Sequence, residues 1–386
     1  MADINQIYTI VNTAAKQAFG QEAITAIDTA SFISLGDDVL STDRNTDAFN
    51  NALNDVIGRT IISTRVYNAD ADPLVRKPFE FGMALRKIYV EIGDAEQNNS
   101  WEIGKDSYTP DFAPIKKPIV NQHLFSRLST YEFGVTIPDD LWTTAFHNEQ
   151  EMAALIEGIF VAMETRLQTS LKHLNNLVRA SFMARKYLTA GLHAINLLAD
   201  YNTETGSTLT VANALRDKEF IRWSNMVMGM YVDRLVEPSR LFNTADYLRH
   251  TPKDLQVFTV LSNYARASEI YLQSDTYHDT LVKMPYYRTV PYWQGTGKDY
   301  SFDNVSKISV VLTKGGQATT IAGAIAVLYD YEAMGTTIDK PRTPTERNNH
   351  DEYTNYYYKV NRGYFNDLSE NGVVFYIADG TSDTAD

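Results

Sequence analysis

The sequence predicts an α+β fold, and three observations carry that prediction. A long helical stripe occupies the middle of the chain, where Met152, Ile156, Ile159, Met163, Leu167, Leu171, Leu174 and Val178 recur at three- and four-residue steps, so one helix face is apolar throughout. Elsewhere short runs alternate with period two: Tyr131, Phe133, Val135 and Ile137 against Glu132, Gly134 and Thr136, as on a strand whose successive side chains point to opposite faces. The stretch from Ile321 to Asp330 is apolar on both faces, as expected of a central strand covered on each side.

The remaining elements follow in order. Ile4, Ile7, Val11, Ala14, Ala15 and Ala18 share one helical face before Gly20 ends the pattern, which reads as a docked terminal arm. A second helical stretch is expected around Ala48 to Ile57, then a β-branched run from Arg59 to Val66 with strand character. Between Asp70 and Pro118 the chain holds Pro73, Pro78, Pro110, Pro114 and Pro118, the polar cluster Gln97 to Ser100, and one alternating strand with Ile88, Val90 and Ile92. Structureless connections of that length are uncommon inside compact domains, so this loop is expected to pack against a neighbouring subunit, with an active-site lid as the alternative. Phe79, Phe81, Trp101, Ile103 and Tyr108 are its candidate inter-subunit contacts, because interface energy concentrates in buried aromatic anchors.

Pro138-Asp139-Asp140 stops the alternating strand. Asn148 is then a plausible N-cap for the long helix, with Glu149 and Glu151 in its first turn, and continuity to Arg185 would make it about 55 Å long. A coiled-coil dimer is the alternative, weakened by the absence of a strict heptad. Asn202 to Ser207 reads as a polar turn. Thr210 is expected to cap a helix toward Asp233 that buries Phe220, Ser224, Val227, Tyr231 and Leu235. Thr251-Pro252 is expected to open another helix, with Leu255, Phe258, Leu261 and Ala265 inward. Ile308, Val310 and Leu312 alternate before Gly315-Gly316. Near the C-terminus, Tyr353, Asn355, Tyr356, Tyr357 and Tyr358 form an aromatic strand expected to pair with the strand from Val373 to Ala378.

Composition narrows the function. The net charge of -13 argues against tight wrapping of nucleic acid, which needs clustered Lys and Arg; many soluble proteins are this acidic, so charge alone decides little more. The chain has no Cys, which excludes thiolate nucleophiles, disulfides and Cys-bound zinc. Asp3 near the start and the absence of an apolar run near ~20 residues predict neither a signal peptide nor a membrane anchor. Gly295-Thr296-Gly297-Lys298 fails as a phosphate loop, since Tyr292 stands where the first Gly is needed and Asp299 follows the lysine; a turn explains its glycines. The seven His include no pair spaced for a shared metal, and acidic pairs such as Asp37-Asp38, Asp70 with Asp72, and Asp139-Asp140 lack a calcium-loop pattern. No Gly-x-Ser-x-Gly elbow occurs, and the 48 acidic residues single out no glycosidase pair. The expectation is no enzyme, no metal and no cofactor.

The C-terminal third resembles the major capsid proteins of tailed bacteriophages, in particular those of small short-tailed phages. Arg347-Asn348 precedes Tyr353, Asn355 and the triplet Tyr356 to Tyr358 at the family's spacing, and Leu328-Tyr329-Asp330 followed by Glu332-Ala333-Met334-Gly335 resembles its strand and turn. Phe220 to Trp293 matches loosely, and the first eighty residues only in element order. The resemblance implies an HK97-like capsid fold: N-terminal arm and first helices at 1–69, an extended loop at 70–118, a peripheral-domain strand and spine helix at 119–190, an axial domain at 191–314, and C-terminal strands completing the peripheral domain at 315–386. It further implies self-assembly through pentamers and hexamers into an icosahedral shell that encloses double-stranded DNA without sequence-specific binding. A scaffolding protein and a portal would assist in the host bacterial cytoplasm, and no membrane would be involved. Some relatives carry an immunoglobulin-like domain after the closing strand, which this chain, ending at Asp386, is expected to lack. An encapsulin-type compartment shares the architecture and is the alternative; a carbohydrate-active enzyme is the distant third.

Overall fold

A computed structural model describes residues 4–21, 23–42, 44–49, 52–53, 72, 74–76, 85–91, 117–125, 128–138, 140–141, 162–189, 193–272, 287–294, 299–312, 316–338, 342, 344–348 and 350–379. Its strands are β1 (Val75–Arg76), β2 (Leu85–Glu91), β3 (Ile119–Phe125), β4 (Leu128–Pro138), β5 (Ala194–Asn196), β6 (Gln256–Leu261), β7 (Arg288–Val290), β8 (Ile308–Val311), β9 (Ala318–Ile321), β10 (Ala324–Asp330), β11 (Met334–Ile338), β12 (Thr345–Asn348), β13 (Tyr353–Asn366) and β14 (Gly372–Tyr376). Helices and strands mix along the chain as the α+β reading expects.

Two sheets flank the long helix, Ala162–Leu188. In the first, β13 is the spine: β4 pairs along one edge from Tyr353 to Gly363, while β12 and β11 share the other edge, and β1 adds in parallel to β11. The second runs β5-β14-β10-β6-β7, with β10 at its centre and every residue of β10 buried. The helix packs against β11 and β13 of the first sheet, β14 of the second, and the β8–β9 hairpin. Leu167, Leu171, Leu174 and Val178 are buried as the stripe predicts, and Ala180, Phe182, Met183 and Ala184 join them. The described part alone is about 40 Å long at 1.5 Å per residue; Asn148 to Val161 lie outside the described residues, as do Arg59 to Val66 and Gly295 to Lys298.

A separate apolar core joins the N-terminal helix Ile4–Phe19 to the helix Thr29–Leu40, which sequence periodicity missed. Val11, Ala14, Phe32, Leu35, Val39 and Phe49 meet Ile137 and Tyr356 there, so the arm docks on side chains of β4 and β13 of the first sheet. Gly20, at φ +91°, ends the first helix. Asp28 caps the second: Ser31 N donates to Asp28 Oδ1 at 2.8 Å, and Asp28 N donates back to Ser31 Oγ at 3.0 Å.

Four expectations are corrected. The tyrosine strand does not pair with the Val373 strand, because β10 and β5 occupy the two edges of β14; Tyr353 to Tyr358 pair with β4, and Tyr356 points into the N-terminal core. Asn202 to Thr205 are helical, and the turn waits for Gly206 in the left-handed region. Thr210 precedes only a four-residue helix and makes no side-chain cap; the helix that buries Phe220, Ser224, Val227 and Tyr231 starts at Lys218, where Asp217 accepts from Phe220 N at 2.7 Å. The stretch after Pro252 is strand β6 and only then a helix, Ser262–Tyr271, since Val257, Phe258, Thr259 and Val260 favour the pleated edge that β10 offers. Sheet membership crosses residue 314: β10 and β14 complete the sheet of β5, β6 and β7, whereas β11, β12 and β13 build the other.

Candidate interaction surface

Strands β2 and β3 form an antiparallel hairpin in register from Leu85 opposite Phe125 to Glu91 opposite Ile119. Residues directly opposite share a face, so Arg86, Ile88 and Val90 lie beside Leu124, Gln122 and Val120 on one side. Lys87, Tyr89 and Glu91 lie with His123, Asn121 and Ile119 on the other. The first side is turned to solvent: Ile88, Val90, Val120 and Leu124 are each more than half exposed. Four neighbouring aliphatic side chains held in water on a two-stranded ribbon mark an interaction surface better than scattered exposed residues would.

The other side is anchored to the body by charge and by rings. Lys87 Nζ donates to Glu370 Oε1 at 3.0 Å and to the Glu332 carbonyl at 2.6 Å, and lies 3.3 Å from Asp367 Oδ2. Tyr89 stacks on Tyr247 with ring centroids 3.9 Å apart, and the Arg249 guanidinium lies over both rings. Glu91 pairs with Arg240. Phe125 meets Phe365 with ring centroids 5.4 Å apart.

The receiving turn, residues 367–371, also has contacts independent of the hairpin. Ser369 N and Oγ both donate to Asp367 Oδ1, at 3.0 and 2.6 Å. Arg249 holds Glu370 Oε2 at 2.9 Å. From below, Lys186 of the long helix donates to the carbonyls of Phe242 at 2.9 Å and Glu370 at 3.1 Å. Burial pushes the Glu370 carboxyl up against the pull of Lys87 and Arg249. Burial likewise pushes the Lys186 amine down to about 7 against Asp367 and Glu370, and His193 down to about 4 by burial and then by Lys186.

The sign of that shift gives a prediction. A lysine whose folded-state value lies below its unfolded one binds fewer protons when folded, so stability rises with pH between about 7 and the ordinary lysine value. The stability difference between wild type and Lys186→Met is expected to move in favour of wild type across that window, by up to about 1.4 kcal/mol per pH unit. Unfolding midpoints of both proteins measured from neutral to alkaline pH check it, and a difference that does not change with pH would refute it.

The five contacts expected from sequence, Phe79, Phe81, Trp101, Ile103 and Tyr108, lie outside the described residues. Ile88 and Val90 show in the sequence only as part of one alternating strand, and their shared exposed face needs the partner strand β3. Nothing local marked Lys87, Asp367 or Glu370, which meet across more than 270 residues of chain. Among the described residues no group of three His, Cys, Asp or Glu side chains could hold a metal ion, and no helix is long and apolar enough to cross a membrane.

A two-sheet body around one long helix, carrying a docked arm and an anchored ribbon with an apolar outer face, defines a protein made to meet other protein surfaces. Its sequence matches the Phi29-like phage major capsid protein model over residues 8–376; the chain belongs to that family and is a shell protein of a phage virion. No curated protein matches it. Solved structures that resemble it include the capsid of cyanophage P-SCSP1u, 9% identical over 82% of this chain and 92% of that one with a TM-score of 0.47. The Staphylococcus phage Andhra capsid is 8% identical over 81% and 84%, TM-score 0.47. The mature capsid of bacteriophage PhiM1 is 9% identical over 82% and 89%, TM-score 0.48.

Proposed function

We infer that this capsid protein assembles through pentamers and hexamers into a closed icosahedral shell around double-stranded DNA, and that it is a structural protein without catalysis. The observation that carries the reading is the hairpin whose apolar outer face is held outward by an anchored inner face. Repeated heterologous contacts close into a shell when their rotations do, and many modest contacts per subunit give the assembly its stability. In this reading residues 70–118 are the extended loop of an HK97-like subunit, with Phe79, Phe81, Trp101, Ile103 and Tyr108 as anchors on a neighbour. Residues 1–69 are the arm and first helices, 119–190 hold the peripheral strand and spine helix, and 191–314 with β10 and β14 form the axial domain. The rest of 315–386 completes the peripheral domain. Assembly takes place in the bacterial cytoplasm with a scaffolding protein and a portal. The acidic balance of -13 suits a wall that encloses DNA without gripping it.

The test is expression alone and with the neighbouring genes, followed by size-exclusion chromatography and negative-stain electron microscopy. Uniform closed particles are expected; a clean monomer in both preparations would remove the reading. In the same assay Val90→Asp with Val120→Asp should cut particle yield more than tenfold while leaving the circular dichroism spectrum unchanged, because charge on that face opposes burial against a neighbour. Wild-type yield from the double variant would sink the assignment of the hairpin face.

A further inference from the structure

We propose that the trough between the long helix, strand β8 and strand β13 is a docking groove for an acidic amphipathic helix of a partner protein. Its form and its charge carry the inference, and neither depends on the shell reading.

Leu174, Leu177 and Val178 of the long helix make the floor. Val311 of β8 stands on one side, and Leu124 of β3 with Tyr364 of β13 on the other, around a volume of about 590 Å³. The floor follows the helix from Leu174 to Arg185, about 17 Å or about three turns. A trough running along a helix accepts a second helix, whose side chains at three- and four-residue steps fill the spaces between those of the first. The rim sets the size of the occupant. Leu124, Leu177, Val311 and Tyr364 are 36–59% exposed, so a small molecule that filled the cavity alone would leave them wet, whereas a helix laid along the trough covers them.

Charge selects the partner. The chain has 48 Asp and Glu in 386 residues, about one in eight, yet none occurs from Thr165 to Ala199 or from Asn304 to Tyr329. Those two stretches supply most of the long helix and the whole β8–β9 hairpin, which pack on each other. Arg166, Lys172 and Arg185 of the helix meet no carboxylate among the described residues, whereas Arg222, Lys253, Arg266 and Lys359 elsewhere each meet one. On the β13 side, Asp367 and Glu370 are buried and engaged by Lys87 and Arg249, so they put no free negative charge on the surface.

Among the described residues Arg185 is the one charged side chain lining the groove. A partner with an acidic polar face therefore meets cations there and no like charge. The net charge of -13 opposes such a partner at long range, but screening within about 10 Å at 0.1 M salt leaves the local charges dominant.

The test uses the unassembled full-length protein and two fluorescent synthetic peptides about 18 residues long. Both carry Leu at three- and four-residue steps, one with Glu and the other with Lys at the remaining positions. Anisotropy titrations in about 0.1 M salt are expected to show the Glu peptide binding at least tenfold tighter, the reverse of what the net charge favours. Leu177→Glu with Val311→Glu should weaken the Glu peptide at least tenfold. Arg185→Glu, at an exposed position that leaves the floor intact, should cut the ratio between the peptides at least threefold, and it decides alone if the double variant loses secondary structure. Val90→Asp with Val120→Asp, which tests the shell contact, should change neither affinity, so the two assignments can fail separately. Equal binding of both peptides, no binding, or a Glu-peptide affinity indifferent to the groove variants would overturn the proposal. A short DNA duplex that displaces the Glu peptide would overturn it in favour of nucleic acid. Self-association in sedimentation velocity that disappears in Leu177→Glu with Val311→Glu, in a protein that ignores both peptides, would overturn it in favour of a second copy.

Discussion

Gly323→Ala is expected to destabilise the protein by about 3–5 kcal/mol, at the upper end of what single substitutions cost. Gly323 sits between β9 and β10 at φ +69°, and a Cβ there would fall 1.9 Å from the carbonyl oxygen of Ile377. That oxygen belongs to main chain, which cannot swing aside as a side-chain tip would. The same residue accepts from Ile377 N at 2.9 Å, and its neighbour Ala324 N donates to the Ser306 carbonyl at 3.0 Å, so any retreat breaks the join between the central strand and the end of β14. Gly206→Ala is the control. It has nearly the same positive φ, +67°, but open space around the missing Cβ, and should cost only about 1–2 kcal/mol of left-handed strain. Thermal unfolding of both variants checks the pair; equal shifts would mean that the close approach to Ile377 carries no weight.

Asp72→Ala is expected to cost about 3 kcal/mol, less than a fully enclosed pair because Asp72 is about one-fifth exposed. Its carboxylate receives the Arg179 guanidinium of the long helix, which is buried. Asn175 also donates to it, at 3.3 Å, and Asn175 in turn accepts from Thr336 Oγ1 at 2.8 Å, while Thr336 N donates to the Leu74 carbonyl at 2.7 Å. Asp72 therefore pins the start of β1 to both the helix and β11, and without it a cation is left buried with no counter-charge. The double variant Asp72→Ala with Arg179→Met should recover more than about 1 kcal/mol relative to Asp72→Ala alone, since removing both charges abolishes the uncompensated one. Denaturant titration of the single and double variants measures that coupling, and strict additivity would show that the pair contributes nothing beyond its separate packing.

What could be read from the sequence was what periodicity encodes. The stripe from Leu167 to Val178, the alternation in β4 and the apolar run in β10 are each produced by one environment acting on one element, and each came out as expected, except that Ile321 ends β9 and the central strand starts only at Ala324. The tyrosine strand shows the limit: Tyr353 to Tyr358 declare a half-buried strand, but which edge accepts it depends on which edges are already taken, and β14 had none free. Phe258 and Leu261 fit a helical face and a strand equally, so only the open edge of β10 decided between them. The family was legible through the spacing around Arg347-Asn348. The cluster around Glu370 was not, because Lys87, Arg249, Asp367 and Glu370 look individually like solvated surface charges and acquire meaning only when the long helix and the two sheets bring them together.

Strand β13 has one more implication. It is a single strand of fourteen residues; one end carries Tyr356 into the core of the N-terminal helices, and the other is tied to the long helix by Arg362 donating to the Leu167 carbonyl at 3.1 Å and Asn366 to the Val178 carbonyl at 3.2 Å. Stretching force between those ends runs along the covalent backbone of β13, so it loads main-chain bonds and leaves the eleven paired positions with β4 in place, whereas a perpendicular pull would peel them one at a time. A wall under outward pressure experiences tension in its own plane, and a subunit lying with β13 in that plane would meet it along its stiffest direction.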